Sequence, residues 1–255
     1  MTDHETGSRT DQALSFGAAA ARYDRFRPPY PRTAASWIAA APPPARVVDL
    51  GAGTGILTRT LIGLGYDVVP VEPDEAMRAR LAAATLGATP LAGSAESIPL
   101  RDGEADAVVA GTAYHWFDRD RAHAEAARVL RPGGAFAAIW NIRDNTVDWV
   151  AELTRIADRW RRDDRGRDAV IETFDSFGPD FVDFERAEFR HEVLHTPESL
   201  VTMMTTRSYY LTASPQEQAT IERELRALTS EHPQLAGRES FELPYRALAY
   251  RARRR

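Results

Sequence analysis

The sequence predicts a doubly wound α/β fold, and three observations predict it. Between residues 46 and 140 short apolar runs alternate with helix-patterned segments across short turns, the rhythm of a mostly parallel sheet. Two of those runs, Ala105 to Ala110 and Ala135 to Trp140, are almost continuously apolar, as strands buried on both faces are. The first strand candidate, Arg46 to Leu50, runs directly into Gly51-Ala52-Gly53-Thr54-Gly55, a turn rich enough in glycine to approach a ligand with its backbone. Right-handed crossovers then bring the carboxyl ends of the strands to one edge, where ligands bind.

The elements follow in order. From Ala13 to Trp37 the chain is irregular and amphipathic, anchored by Leu14, Phe16, Tyr23, Phe26 and Tyr30 and broken by Pro28, Pro29 and Pro31. Ser36 to Ala41 reads as a short helix closed by Pro42, Pro43 and Pro44. After the glycine turn, Ile56 to Leu64 is helical with Gly65 as its cap, Asp67 to Val71 is the second strand, and Asp74 to Leu86 is a helix with Met77 and Leu81 on one face. Arg119 to Leu130 is helical and ends in Arg131-Pro132-Gly133-Gly134 before the Ala135 to Trp140 strand.

After Asn141 the rhythm changes. Val147 to Arg162 is an amphipathic helix with Trp149, Leu153, Ile156 and Trp160 in register, and the charges from Arg161 to Asp168 read as a solvated turn. Phe184 to His195 and Phe241 to Arg251 alternate as strands; Pro197 to Leu211 and Pro215 to Glu231 are helical. No repeat or low-complexity linker divides the chain. The expected organisation is a tail over 1–12 and one domain over 13–255, with an N-terminal lid (13–45), a core (46–141) and a helical lid plus two late strands (142–255).

Composition narrows the function. The 255 residues contain no Cys, which excludes disulfide frameworks, thiolate metal sites and Cys nucleophiles. The 32 basic residues are all Arg, and against 37 acidic ones they leave a net charge of −5, the wrong sign for general binding of a phosphate backbone. No apolar run approaches a membrane span, and the polar, acidic first residues lack the pattern of a signal peptide, so a cytoplasmic protein is expected. His191 and His195 lie four apart on a strand with no carboxylate ligands around them, and no metal site is expected.

The glycine turn, with Glu72 at the end of the second strand, forms a nucleotide-cofactor arrangement. A dinucleotide fingerprint would place a third Gly at position 56, which is Ile56; the spacing Gly51, Gly53, Gly55 suits a ligand without a pyrophosphate. Asp49, two positions before the first Gly, puts a carboxylate where it can attract an ammonium or order water near it.

These residues carry a resemblance. Val48 to Gly55 resembles the first motif of class I S-adenosylmethionine-dependent methyltransferases, and Val71-Glu72-Pro73-Asp74-Glu75-Ala76-Met77 the second. Gly93 to Leu100, Asp106 to Ala110 and Val129 to Gly134 resemble the adenine segment, the fourth strand and the turn before the fifth. Phe16-Gly17 through Tyr23, Arg27-Pro28-Pro29-Tyr30-Pro31 and Tyr114-His115-Trp116-Phe117-Asp118 are similar to a small-molecule branch that includes trans-aconitate methyltransferase. The resemblance implies a Rossmann-like mixed sheet of seven strands, the last antiparallel, with N-terminal and C-terminal helical lids.

It also implies roles. The backbone of Gly51, Ala52 and Gly53 passes under the methionine part of S-adenosylmethionine, and Glu72 holds the ribose diol. Pro73 and Met77 flank the adenine, with Ser94, Ala95 and Glu96 at its edge; many relatives carry Asp where this chain has Ser94. Gly111 and Thr112 face the amino-acid end, and Tyr23 and Arg27 reach it from the N-terminal lid, Arg27 being suited to a carboxylate. For His115 three readings stand: general base, pocket wall, or structural histidine. Tyr114, Trp116, Trp140, Arg207 and Tyr210 are the candidates for substrate contact, Arg207 if the substrate is an acid. The expected reaction is methylation of a small molecule, an O-methylation of a carboxylate or hydroxyl in first place, with S-adenosylhomocysteine as product. The expected partners exclude nucleic acid and membrane, and the protein is a monomer or homodimer. An RNA or protein methyltransferase, or a non-catalytic cofactor-binding protein, is the alternative on the same core.

Overall fold

The structure is a computed structural model that describes residues 27–161, 171 and 174–255. The expectations for the tail over 1–12, for Tyr23 and for most of the charged turn lie outside the described residues.

Strands β1 (Arg46–Leu50), β2 (Asp67–Glu72), β3 (Leu91–Ala92), β4 (Ala105–Gly111), β5 (Leu130–Arg143), β6 (Phe181–His195) and β7 (Phe241–Arg254) form one sheet in the order β3-β2-β1-β4-β5-β7-β6. The first five are parallel, and β7 runs antiparallel between β5 and β6. Strand alternation divides the core. Val108 and Ala110 on β4, with Phe136, Ala138 and Trp140 on β5, pack on one face; Ala107, Val109, Ala137 and Ile139 pack on the other.

Helices α1 (Arg32–Ala39) and α2 (Ile56–Ile62) cover the second face through Ala34, Ala35, Ile38, Leu57 and Leu61. Helix α1 starts directly after Pro31 and stops where Ala40 turns left-handed at φ 54°, so it begins four residues earlier than the apolar pattern suggested. At the end of α2, Gly65 takes φ 91° and donates to Ile62 while Tyr66 donates to Leu61, the paired bonds that terminate a helix on a left-handed residue.

On the first face lies α4 (Arg119–Val129), while α3 (Glu75–Ala84) packs Leu81 against the start of α2, where a Cβ on Gly55 would lie 2.8 Å from it. Each starts on an aspartate: the Asp74 carboxylate accepts from the Met77 amide at 2.8 Å, and Asp118 caps α4 from Arg121. The α4 residues Ala122, Ala126 and Val129 pack on Phe136 and Ile98 in a core that also holds Tyr114 and a group of phenylalanines.

The later helices α5 (Asp148–Trp160), α6 (Pro197–Thr205), α7 (Ser208–Leu211) and α8 (Pro215–Glu231) enclose a separate core of Trp149, Leu153, Leu200, Met204, Ile221 and Leu225. It is joined to the sheet through Phe241, Leu243 and Tyr245 of β7. Thr196 with Ser199 and Ser214 with Glu217 form reciprocal caps that fix where α6 and α8 begin. The single helix expected over Pro197 to Leu211 is two. Thr206 turns its amide and its hydroxyl back onto the Met203 carbonyl, at 3.2 and 2.7 Å, and the chain restarts at Ser208. Arg207 sits in the break. No helix among the described residues is long and apolar enough to cross a membrane.

Candidate active site

The carboxyl ends of β1, β2, β4 and β5 meet at one edge, and a cleft opens there with about 650 Å³ of empty space, part of it open to solvent. The floor is the glycine turn. Gly51 and Gly53 stand at φ 63° and 57°, and the Gly51 and Ala52 amides bond to the Val71 carbonyl at 2.8 and 3.2 Å. A Cβ on Gly51 would lie 2.6 Å from the Ala113 Cβ, so both the turn and the close approach of the β4 loop require glycine.

Two carboxylates lie beneath this turn. The Asp49 side chain is almost fully buried and accepts from the Thr58 hydroxyl at 2.6 Å. Burial pushes its carboxyl up from 3.8 to about 7; the Thr58 hydrogen bond opposes the rise and the nearby Glu72 charge adds to it. Glu72 is also raised, chiefly by burial. Its Oε2 accepts from the Gly53 amide and its Oε1 from the Asp74 amide, each at 2.9 Å. Buried carboxylates of this kind favour a ligand that brings positive charge, and each Glu72 oxygen keeps lone pairs for a diol.

A strap over 27–31 borders the cleft. The Tyr30 and Thr112 hydroxyls share a hydrogen bond of 2.7 Å. Asn141, at the end of β5, donates to the Pro28 and Pro29 carbonyls at 3.3 and 3.1 Å, while its Oδ1 accepts from His191 Nε2 at 2.9 Å. Burial lowers the His191 pKa. Thr112 sits at φ 54°, an uncommon position for a β-branched residue, held by its amide bond to Ile139 and by Tyr30.

Of the residues singled out in the sequence, the structure gathers Arg27, Asp49, Gly51, Ala52, Gly53, Gly111, Thr112 and Arg207 around the cleft. Glu72 is tied into its floor. Pro73 is exposed and Met77 and Ala95 are buried beyond it along the same edge, with Ser94 and Glu96 half-buried; Glu96 accepts from the Asp118 amide at 2.9 Å.

Four aromatic residues and His115 stand elsewhere. Tyr114 is 1% exposed, its hydroxyl shares a 2.8 Å hydrogen bond with His123, and aromatic rings surround it, so its place is the core and not the substrate wall. Trp140 points to the same face as Phe136, away from the cleft, because residues of β5 alternate and Asn141 takes the cleft side. The Tyr210 hydroxyl is engaged by Glu222 on α8. His115 packs on Trp116, ring centroids 4.8 Å apart, and neither lines the cleft.

Sequence reasoning gave no site role to Tyr30, Thr58 or Arg143. Tyr30 was visible in the Pro-Tyr-Pro run but read as an apolar anchor. Thr58 lies one helical turn past Gly55 with nothing to distinguish it, and Arg143 is one arginine among 32 basic residues.

The fold and the loop with its two carboxylates define a class I S-adenosylmethionine-dependent methyltransferase. Residues 48–138 match the family model described as a methyltransferase domain. Over 247 residues the chain is 41% identical to an uncharacterised methyltransferase of Mycobacterium tuberculosis, spanning 97% of this chain and 98% of that protein. The chain belongs to this methyltransferase family. A solved structure of a proposed type II methyltransferase from Anaeromyxobacter dehalogenans shares 26% identity and superposes with a TM-score of 0.61, covering 90% of this chain and 97% of that one. A malonyl-[acyl-carrier protein] O-methyltransferase of Methylococcus capsulatus is 37% identical over 134 residues, 49% of each chain.

The cofactor of the class is S-adenosylmethionine, and the site fits it. The glycine turn lines the cleft with backbone, the buried carboxylates suit its cationic end, and the Glu72 oxygens suit its ribose.

Proposed function

We propose that the protein methylates a small molecule on oxygen, and that the methylated group is a carboxylate. The observation that carries this reading is the lining of the cleft. Arg27 and Arg207 border it, and a guanidinium pairs two-pronged with a carboxylate. A hydroxyl or amine acceptor needs a base to take its proton; a carboxylate is already ionised at neutral pH and needs none. The cofactor supplies a methyl carbon activated by its sulfonium: an acceptor oxygen lone pair forms the new C–O bond as the C–S bond breaks, with its electron pair left on sulfur.

The chain's own residues then have three tasks. The glycine turn and Glu72 position, Asp49 provides negative charge near the cationic end, and the strap held by Tyr30 and Asn141 limits water at the reacting atoms. The net charge of −5 gives no basic groove for RNA. The Methylococcus relative, by its name, also O-methylates, on a malonyl group.

The test is transfer from methyl-labelled S-adenosylmethionine to a panel of small carboxylic acids, phenols and amines, with bulk RNA and protein alongside. Label in acids that alkali releases as methanol supports a carboxyl ester. Label only in phenols, amines or macromolecules, or no transfer by a protein that binds the cofactor, overturns the reading.

A further inference from the structure

Asn141 borders the cleft together with Arg27, Pro28 and Tyr30 of the strap. Its Nδ2 faces two acceptors, the Pro28 and Pro29 carbonyls at 3.3 and 3.1 Å. Its Oδ1 faces His191 Nε2 at 2.9 Å. The two carbonyls require the amide nitrogen on the strap side, so the oxygen lies on the other side and the ring nitrogen that meets it carries a proton. Turned by half a revolution, the same amide would set its oxygen against two carbonyl oxygens and release the strap. The His191 donor and the strap carbonyls therefore select one orientation of Asn141 from opposite ends.

His191 does this from a distance in the fold. It stands on β6, the outer strand, with β7 between it and β5. In register His191 is opposite Tyr245, and Asn141 is opposite Ala247, two residues further along the same face of β7. The ring reaches diagonally across β7, where Ala247 ends at a methyl. It is half-buried and stacks on the buried Tyr245, with centroids 5.5 Å apart and planes at 22°, so its direction is set by packing. Packing alone would not call for a donor at Nε2 aimed at an amide of the cleft. The strap thus has two anchors on the sheet: a direct one from Tyr30 to Thr112 after β4, and one at Asn141 that is relayed from β6.

We infer that His191 is a positioning residue of the cofactor cleft, holding the Asn141 amide in the orientation that ties down the strap bearing Arg27 and Tyr30. The inference needs the cofactor to occupy the cleft and does not depend on which acceptor is methylated. It gives the outer strand of the sheet a part in cofactor binding, through a side chain that touches no ligand.

The experiment is calorimetry of S-adenosylhomocysteine binding to the full chain, with thermal melts on the same preparations. His191→Phe keeps a ring on Tyr245 and removes the donor. Its affinity should fall about fivefold, the effect of one hydrogen bond, with the melting temperature nearly unchanged. His191→Gln carries an N–H₂ donor at about the reach of Nε2 and should bind within about twofold of wild type; His191→Asn, whose amide is one carbon shorter, should bind like His191→Phe. Asn141→Ala should weaken binding at least as much as His191→Phe, and adding His191→Phe to it should cost nothing more, because the relay is already cut. If His191→Phe folds poorly, the difference between Gln and Asn at this position gives the same reading. Wild-type affinity in His191→Phe, equal losses in the Gln and Asn variants, or a full further loss when His191→Phe is added to Asn141→Ala overturns the relay. Failure of the wild type to bind S-adenosylhomocysteine would instead count against the cleft as the cofactor site.

Discussion

The Gly53 amide donates to Glu72 Oε2 at 2.9 Å, tying the glycine turn of β1 to the end of β2. The other oxygen of the same carboxylate holds the Asp74 amide, so one side chain fixes both the cofactor loop and the start of α3. Glu72→Gln replaces one of these acceptors with an N–H₂ donor facing a backbone N–H. The expected result is a cofactor affinity lower by about tenfold or more and a stability loss of roughly 1–3 kcal/mol, the cost of a buried donor left unpaired. Calorimetry with S-adenosylhomocysteine and urea unfolding check the two effects separately.

Asp49 makes the protein pH-sensitive in a defined direction. Its carboxyl titrates at about 7 in the folded chain and near 3.8 when unfolded. Between those values the native state holds a proton that the unfolded chain has released, so stability falls as pH rises from about 4 to about 7 and is level above, a change of roughly 4 kcal/mol. A cationic ligand favours the ionised form, so cofactor affinity should rise with pH through 7 and then level. Asp49→Asn should flatten both profiles and bind the cofactor weakly. Urea unfolding and calorimetry across this pH range make the comparison, and wild-type affinity that falls with rising pH would contradict it.

Among the described residues the strap meets the sheet through the Tyr30–Thr112 bond and the Asn141 bonds to Pro28 and Pro29, so loosening it should be felt in binding more than in folding. Tyr30→Phe removes the 2.7 Å bond to Thr112 and leaves the ring in its core. Loss of one hydrogen bond of about 1 kcal/mol corresponds to about a fivefold weaker cofactor complex, with the melting temperature nearly unchanged. Titration and thermal melts on the same preparation separate the two.

Tyr114 provides the opposite case. In Tyr114→Phe the buried His123 ring loses its partner at 2.8 Å. A stability loss of about 1–2 kcal/mol is expected, with the KM for the acceptor unchanged. A raised KM at unchanged stability would return Tyr114 to the substrate wall.

Much of this arrangement was legible in the sequence because it is local. The glycine turn, Asp49 and Glu72 lie within 24 consecutive residues whose strand–turn–helix order determines their positions. The bounds of the helix Pro215–Glu231 were equally visible. What was not legible depended on side-chain direction. The Tyr114-His115-Trp116 segment does follow β4 at the ligand edge, but its short 3₁₀ turn buries Tyr114 in the aromatic core and leaves Trp116 exposed. Trp140 and Asn141 are neighbours in sequence and face opposite sides of the sheet, so only one of them reaches the cleft. The importance of Arg207 follows from a helix break at Thr206, where a hydroxyl bonding backwards left no periodic signal in the sequence.

The most direct test of the cleft as the cofactor site is calorimetry of S-adenosylmethionine binding to wild type and Gly51→Val. The substitution puts a branched side chain at φ 63° and against Ala113, while the sheet pairing of β1 lies upstream of it. The expected result is one cofactor bound per wild-type chain and none detectable in Gly51→Val, with the same far-ultraviolet circular dichroism in both. Wild-type affinity in Gly51→Val would contradict the placement of the cofactor on the glycine turn.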